Sequence, residues 1–146
     1  MSFKLENILG LSEEDQSVHK IKTLAFNGRN AVKVALLKWK RDCPVDFKKI
    51  MKAIHYAGKH EKKYLINTNY VERCDHSKYG EIYEFRNNKC PLRLMFFFDA
   101  NDTLIICTND YRKSDAKRTK SGGQDTAFKR CAQIRDLYKK QEIKDD

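Results

Sequence analysis

The sequence predicts an α+β fold: a helical hairpin packed on a small antiparallel sheet, followed by a C-terminal helix. Three observations predict it. Two successive apolar stripes recur at three- and four-residue intervals over residues 30–58, three β-rich runs separated by short polar connections follow Gly80, and a last helical stripe covers residues 125–141. A chain of 146 residues has the length of one domain and can bury a core. We divide it into an N-terminal helical extension, residues 1–17, and a single domain, residues 18–146.

In chain order, Phe3, Leu5, Ile8, Leu9 and Leu11 fall at roughly helical spacing, and Ser12-Glu-Glu-Asp resembles a helix start, which gives the extension. Residues 19–26 alternate, with Ile21, Leu24 and Phe26 apolar among Lys20, Lys22 and Thr23, so a strand is expected before Asn27-Gly28 breaks the pattern. The first hairpin helix opens at Arg29 or Asn30. It sets Val32, Ala35, Leu36 and Trp39 on one face and Lys33, Lys38, Lys40 and Arg41 on the other. Pro44 stops it and suits the first turn of the second helix, whose Phe47, Ile50, Met51, Ile54 and Ala57 repeat until Gly58 ends the run. After a basic connection, Tyr64, Leu65 and Ile66 are expected to begin a short strand. Residues 81–86, 92–98 and 104–108 then form an antiparallel meander of three strands, joined by Asn87-Asn88-Lys89 and Asp99-Ala-Asn-Asp102. The middle run is nearly all apolar, as in a strand covered on both faces, with Arg93 emerging at its start. Phe128, Cys131, Ile134, Leu137 and Tyr138 make the stripe of the last helix.

Charge and composition narrow the function classes. Thirty Lys and Arg against twenty Asp and Glu leave a formal charge of +10, a field that gathers polyanions: nucleic acid, the ribosome or an acidic protein. No apolar run reaches bilayer length, and Lys4 and Glu6 interrupt the first apolar residues where a signal peptide needs a continuous centre. A cytoplasmic protein with no membrane partner is expected. Five cysteines, an odd number without a C-x-x-C pair, read as reduced thiols. Cys74, His76 and Cys90 offer three zinc ligands where a closed site wants four at tighter spacing, so neither a metal nor a cofactor is expected.

Residues 80–86, Gly-Glu-Ile-Tyr-Glu-Phe-Arg, are similar to the "glyElR" strand of the RelE and HigB ribonuclease toxins, particularly the phage-derived HigB-like branch. Residues 92–98, Leu-Arg-Leu-Met-Phe-Phe-Phe, resemble the family's "yRvlyf" strand. The next strand, residues 104–108, leads into Asn109-Asp-Tyr-Arg-Lys113, where relatives carry "fvKK", and Ala127 to Tyr138 matches the helix that follows. The likeness covers about residues 19–140. The chain departs from it where relatives continue with Thr, Gln and Pro and this sequence has Ser114-Asp-Ala-Lys-Arg-Thr-Lys-Ser121, and in its N-terminal extension and long connection over residues 58–79. The resemblance implies a toxin-like endoribonuclease of a toxin–antitoxin system. Such an enzyme cleaves mRNA on the ribosome by metal-independent acid–base chemistry and is held inactive by a cognate antitoxin.

That reaction aims a 2′-hydroxyl at the adjacent phosphate and needs a proton acceptor, a proton donor and cations on the developing charge. Arg86 and Arg93, on neighbouring strands, can present planar forks to phosphate oxygens, whereas Arg86 paired with Glu84 or Glu81 is the competing structural reading. Just beyond the last strand, Tyr111 or Lys113 could move a proton if neighbouring cations depress its pKa, and Tyr111 could instead stack on a base. The competing reading there is a solvated turn. His60 is the further acid–base candidate. Arg112, Lys117, Arg118, Lys120, Lys62 and Lys63 complete the expected RNA contacts, five cations meeting one acid over residues 111–120. The alternative to a nuclease is a non-catalytic RNA- or ribosome-binding module in which these cations serve only as phosphate contacts.

Overall fold

Leu92, Leu94, Phe96 and Phe98 alternate with Arg93, Met95 and Phe97, and a strand sends alternate side chains to opposite faces, so this run must be covered twice. The computed structural model, which describes residues 2–74, 78–113 and 123–145, covers it twice. Strand β5 (Leu92–Asp99) lies within a six-stranded sheet with β1 (Phe3–Asn7), β2 (Lys20–Phe26), β3 (Val71–Arg73), β4 (Tyr83–Phe85) and β6 (Leu104–Arg112). The spatial order is β1-β2-β6-β5-β4-β3. One face carries α1 (Ala31–Asp42) and α2 (Pro44–Lys59), packed on Leu92, Leu94, Phe96 and Phe98. The other carries α4 (Gly123–Asp145), packed on Met95 and Phe97. A short α3 (Lys62–Leu65) links α2 to β3. Among the described residues no helix is long and apolar enough to cross a membrane.

The helical hairpin follows its stripes. Val32, Ala35, Leu36 and Trp39 of α1 and Ile50, Ala53, Ile54 and Ala57 of α2 are all buried. Cys43 ends α1 by donating its backbone N–H to the Trp39 carbonyl, and Pro44 opens α2, where its missing N–H costs nothing. Asn30 caps α1. Its side-chain oxygen accepts from the Lys33 N–H at 3.0 Å, and its amide donates to Glu6 and to Thr23 Oγ1, each at 2.8 Å. One buried amide thus ties β1, β2 and α1 together. Asn30→Ala is expected to lower stability by about 1–2 kcal/mol in urea denaturation, the upper part of the range for a lost cap because half-buried Glu6 and buried Thr23 each lose a donor as well.

The α+β class, the hairpin, the three-strand meander β4-β5-β6 and the C-terminal helix are all observed. The sheet is larger than expected and mixed: β2 pairs with β6 in parallel, and the other neighbours are antiparallel. The expected N-terminal helix is replaced by β1, paired with β2 from Phe3↔Phe26 to Asn7↔Lys22. Phe3-Lys4-Leu5-Glu6 alternates with period two, which suits an edge strand with one wet face. Ser12 and Asp15 do cap each other, with Ser12 N–H to Asp15 at 3.0 Å and Asp15 N–H to Ser12 Oγ at 3.3 Å, yet only a 3₁₀ turn, Glu14–Gln16, follows. Tyr64 and Leu65 belong to α3 rather than a strand, with Leu65 wholly buried. Gly58 does not end α2, which runs on to Lys59, and β6 runs past residue 108 to Arg112.

Candidate functional site

The site begins with an irregularity between β5 and β6. Met95 faces Asn109 whereas Phe96 faces Cys107, so Thr108 is an extra residue in β6. One inserted residue inverts the facing of everything after it. Ile105 and Cys107 therefore point at the hairpin, while Asn109 bonds the Ala127 carbonyl of α4 at 3.1 Å and Tyr111 packs with Ala127 and Phe128. The shift sets Tyr111 on the same face as its cross-strand neighbour Arg93.

Between them stands a buried carboxyl. Glu84 of β4, 2% exposed, accepts a short hydrogen bond from the Tyr111 hydroxyl, and its Oε2 lies 3.8 Å from Arg93 Nε. Arg93 Nη1 donates to the Cys90 and Leu92 carbonyls at 2.6 and 2.9 Å, while its Nε is buried without a hydrogen-bond partner. Burial drives the Glu84 pKa up to about 7, opposed by the Tyr111 hydrogen bond and the Arg93 charge and reinforced by Glu72, which faces Glu84 across β3 and β4. Burial, and then the charge of Glu84, hold Tyr111 above the ordinary tyrosine range. The condition on which Tyr111 could move a proton, a pKa depressed by neighbouring cations, is therefore not met. A ring 7% exposed and set edge-on to Phe128 is also withdrawn from stacking on a base.

Arg86, Arg93 and Lys113 line one open concavity of about 590 Å³, together with Asn69, Asn87 and Lys89. Arg93 does not emerge, being 7% exposed, and forms the floor. Arg86 is a wall, its guanidinium on Glu72 at 2.9 Å and on the Thr68 carbonyl at 2.8 Å. Its acidic partner is thus neither Glu84 nor Glu81. Lys113 sits exposed at the rim, where its backbone N–H on the Pro91 carbonyl at 2.9 Å fixes the end of β6 beside the start of β5. Three cations from separate strand ends so face a space the size of a nucleotide or two.

The remaining expected residues stand elsewhere. Arg112 and Tyr111 line a second groove with Lys38 and Arg130, and Arg112 is on β6 rather than a loop. His60 ends α2 with Nδ1 2.8 Å from the Tyr56 carbonyl and its ring stacked on Tyr56 at 3.8 Å, outside the concavity. Lys62 reaches Asp102 at 3.3 Å and lies 4.8 Å above the Phe98 ring; burial pulls its pKa down, and Tyr83, Asp102 and Glu81 more than offset this. Lys63 faces Glu61 at 3.8 Å and the Tyr64 ring at 5.0 Å. These three are positioned by local pairs and do not join Arg93. Lys117, Arg118, Lys120 and His76 lie outside the described residues. All five cysteines are free, and among the described residues no three His, Cys, Asp or Glu converge on a point where a metal could bind.

The residue that sequence reasoning missed is Glu84, weighed only as a surface partner for Arg86. An acid flanked by Ile82, Tyr83 and Phe85 in a strand buried on both sides is the signal that marks it. Comparisons with protein-family models, with curated proteins and with solved structures find no match to this chain.

Proposed function

We propose that the chain is a RelE/HigB-like endoribonuclease of a toxin–antitoxin system, which acts in the cytoplasm on ribosome-bound mRNA without a metal and is restrained by a cognate antitoxin. The observation that carries this reading is the shared concavity of Arg86, Arg93 and Lys113, which stand at the ends of three consecutive strands and are of the type that holds a bent ribose-phosphate chain. Over the segment that the resemblance covers, the order is β2, α1, α2, then the meander β4 to β6 and α4, with α3 and β3 inserted between α2 and β4. In this scheme Arg86 and Arg93 bind the scissile phosphate. Proton transfer falls to Lys113 at the rim, because Tyr111 and His60 do not face the concavity. Glu84 orients Arg93 from behind, and its proton occupancy near neutral pH sets the charge beneath the phosphate.

A non-catalytic RNA- or ribosome-binding module is the second reading, favoured by one observation: the guanidinium groups of Arg86 and Arg93 already bond the Thr68, Cys90 and Leu92 carbonyls. Translating ribosomes incubated with the protein separate the two. The nuclease reading expects new RNA ends that vanish with Arg93→Lys and Lys113→Ala. Salt-sensitive binding without new ends supports the module, and neither ends nor binding rejects both.

A further inference from the structure

β2 and β6 lie side by side only over residues 20–23 and 104–107. Beyond that point β2 stays with β1 as far as Phe26, and β6 follows β5 to Arg112. The strands part, and the gap between them is a cleft walled by α1 and α4. Its apolar end, about 890 Å³, is lined by Leu24, Val34, Ile134 and Leu137. Its polar end, about 590 Å³, is lined by Lys38, Arg112 and Asp110, with Arg130 common to both ends.

The apolar end continues onto solvent-facing α1, where Val34 is 66% and Leu37 49% exposed, one turn apart. Single exposed aliphatic residues are ordinary; two on one helix beside an apolar cleft make a patch. The charge of the cleft is cationic. Arg29, Lys38, Arg112 and Arg130 line it against Asp42, which is held by Arg41 at 2.8 Å, and Asp110, whose pKa burial drives upward.

We infer that this cleft is the docking site of a partner protein, which inserts an amphipathic segment with its apolar residues on Val34, Ile134 and Leu137 and its acidic residues on Lys38, Arg112 and Arg130. The inference is independent of the ribonuclease reading, because Arg86, Arg93 and Lys113 do not line the cleft. Charge complementarity chooses an acidic occupant. Length suits a helix or strand, since residues 123–137 of α4 span about 21 Å at the helical rise. The walls choose protein over RNA: the apolar end is mainly aliphatic, Trp39 and Tyr111 at the polar end are only 5% and 7% exposed, and Phe26 packs on Phe3 at 5.1 Å, so no open ring face is presented for stacking bases.

The test is selection of displayed random peptides, about four helical turns long, against the full chain, followed by fluorescence anisotropy on the winners. Selected peptides should carry apolar residues three and four apart with Asp or Glu toward one end. Their affinity should fall on the order of tenfold with Arg130→Glu and with Val34→Lys, and hold when Lys63→Glu makes the same charge change outside the cleft. Both target side chains are exposed, so folding is retained; Val34→Ser serves if Val34→Lys melts early. Winners without acidic bias, or indifferent to both changes, overturn the inference. So does displacement of the peptides by polyuridine, which would make the cleft an RNA track, or a dimer seen by sedimentation that Val34→Lys dissolves, which would make the occupant a second copy.

Discussion

Glu84→Gln is expected to stabilise the protein by about 3 kcal/mol near pH 8, relative to the unsubstituted chain, and to change little near pH 4. The unfolded chain releases this proton near the ordinary glutamate value of 4.5, whereas the folded protein keeps it up to about 7. A carboxyl raised in the folded state contributes its full stability below the unfolded value and loses it as pH rises through the window between the two. Between those values the native state binds the extra proton, so stability must fall with pH. Gln has no proton to lose and still accepts from Tyr111. Asp15 and Asp42, whose pKa values are lowered by hydrogen bonds from Ser12 and Arg41, act in the opposite sense, but they are common to both proteins and cancel in the difference. Urea denaturation across this pH range checks the prediction, and parallel curves for the two proteins refute a buried, proton-holding Glu84.

The same residue explains how far the sequence could be read. Helical stripes in α1 and α2 survive because each is decided by neighbours three and four residues away, and the meander by short connections. The parallel pairing of β2 with β6 depends on residues far apart, and no local pattern encodes it. In the first segment Ile8, Leu9 and Leu11 add a false helical period to Phe3-Lys4-Leu5, although Ile8 is buried in the hairpin-side core beyond the end of β1. At the candidate site, the shared location of Arg86, Arg93 and Lys113 is legible because strand and loop positions of a meander place them side by side. Tyr111 was misread because the extra Thr108 turns it inward, and a bulge leaves no reliable mark in composition. Glu84 is not legible as a buried acid because the partner of Arg86, Glu72, sits on a three-residue strand within the long connection over residues 58–79, which has no strand pattern of its own.

Gly58→Ala is expected to cost about 3 kcal/mol, against the usual direction of such a change inside a helix, where Ala gains about 1 kcal/mol over Gly. Its backbone needs no glycine, because Gly58 lies within α2; the requirement is space. A methyl carbon there would stand 2.0 Å from the Asp15 carbonyl oxygen and 3.1 Å from its carbon. That obstacle is backbone, which cannot swing aside as a side-chain tip would. The 3₁₀ turn would have to lift, and with it the Val18 and His19 N–H bonds to the Gly58 carbonyl at 2.9 and 3.2 Å and the His19 ring contact with the Ala57 carbonyl at 2.8 Å. Asp15 also faces His55 and Lys59 at 3.6 and 3.8 Å, one helical turn apart on α2, so the turn is held on both sides of the glycine. Urea midpoints and hydrogen exchange at Val18 and His19 read the effect together: a lower midpoint with faster exchange at those two amides is the signature of a displaced turn. A midpoint equal to or above that of the parent would mean that helix propensity wins, which it can do only if the turn does not rest on α2 in solution.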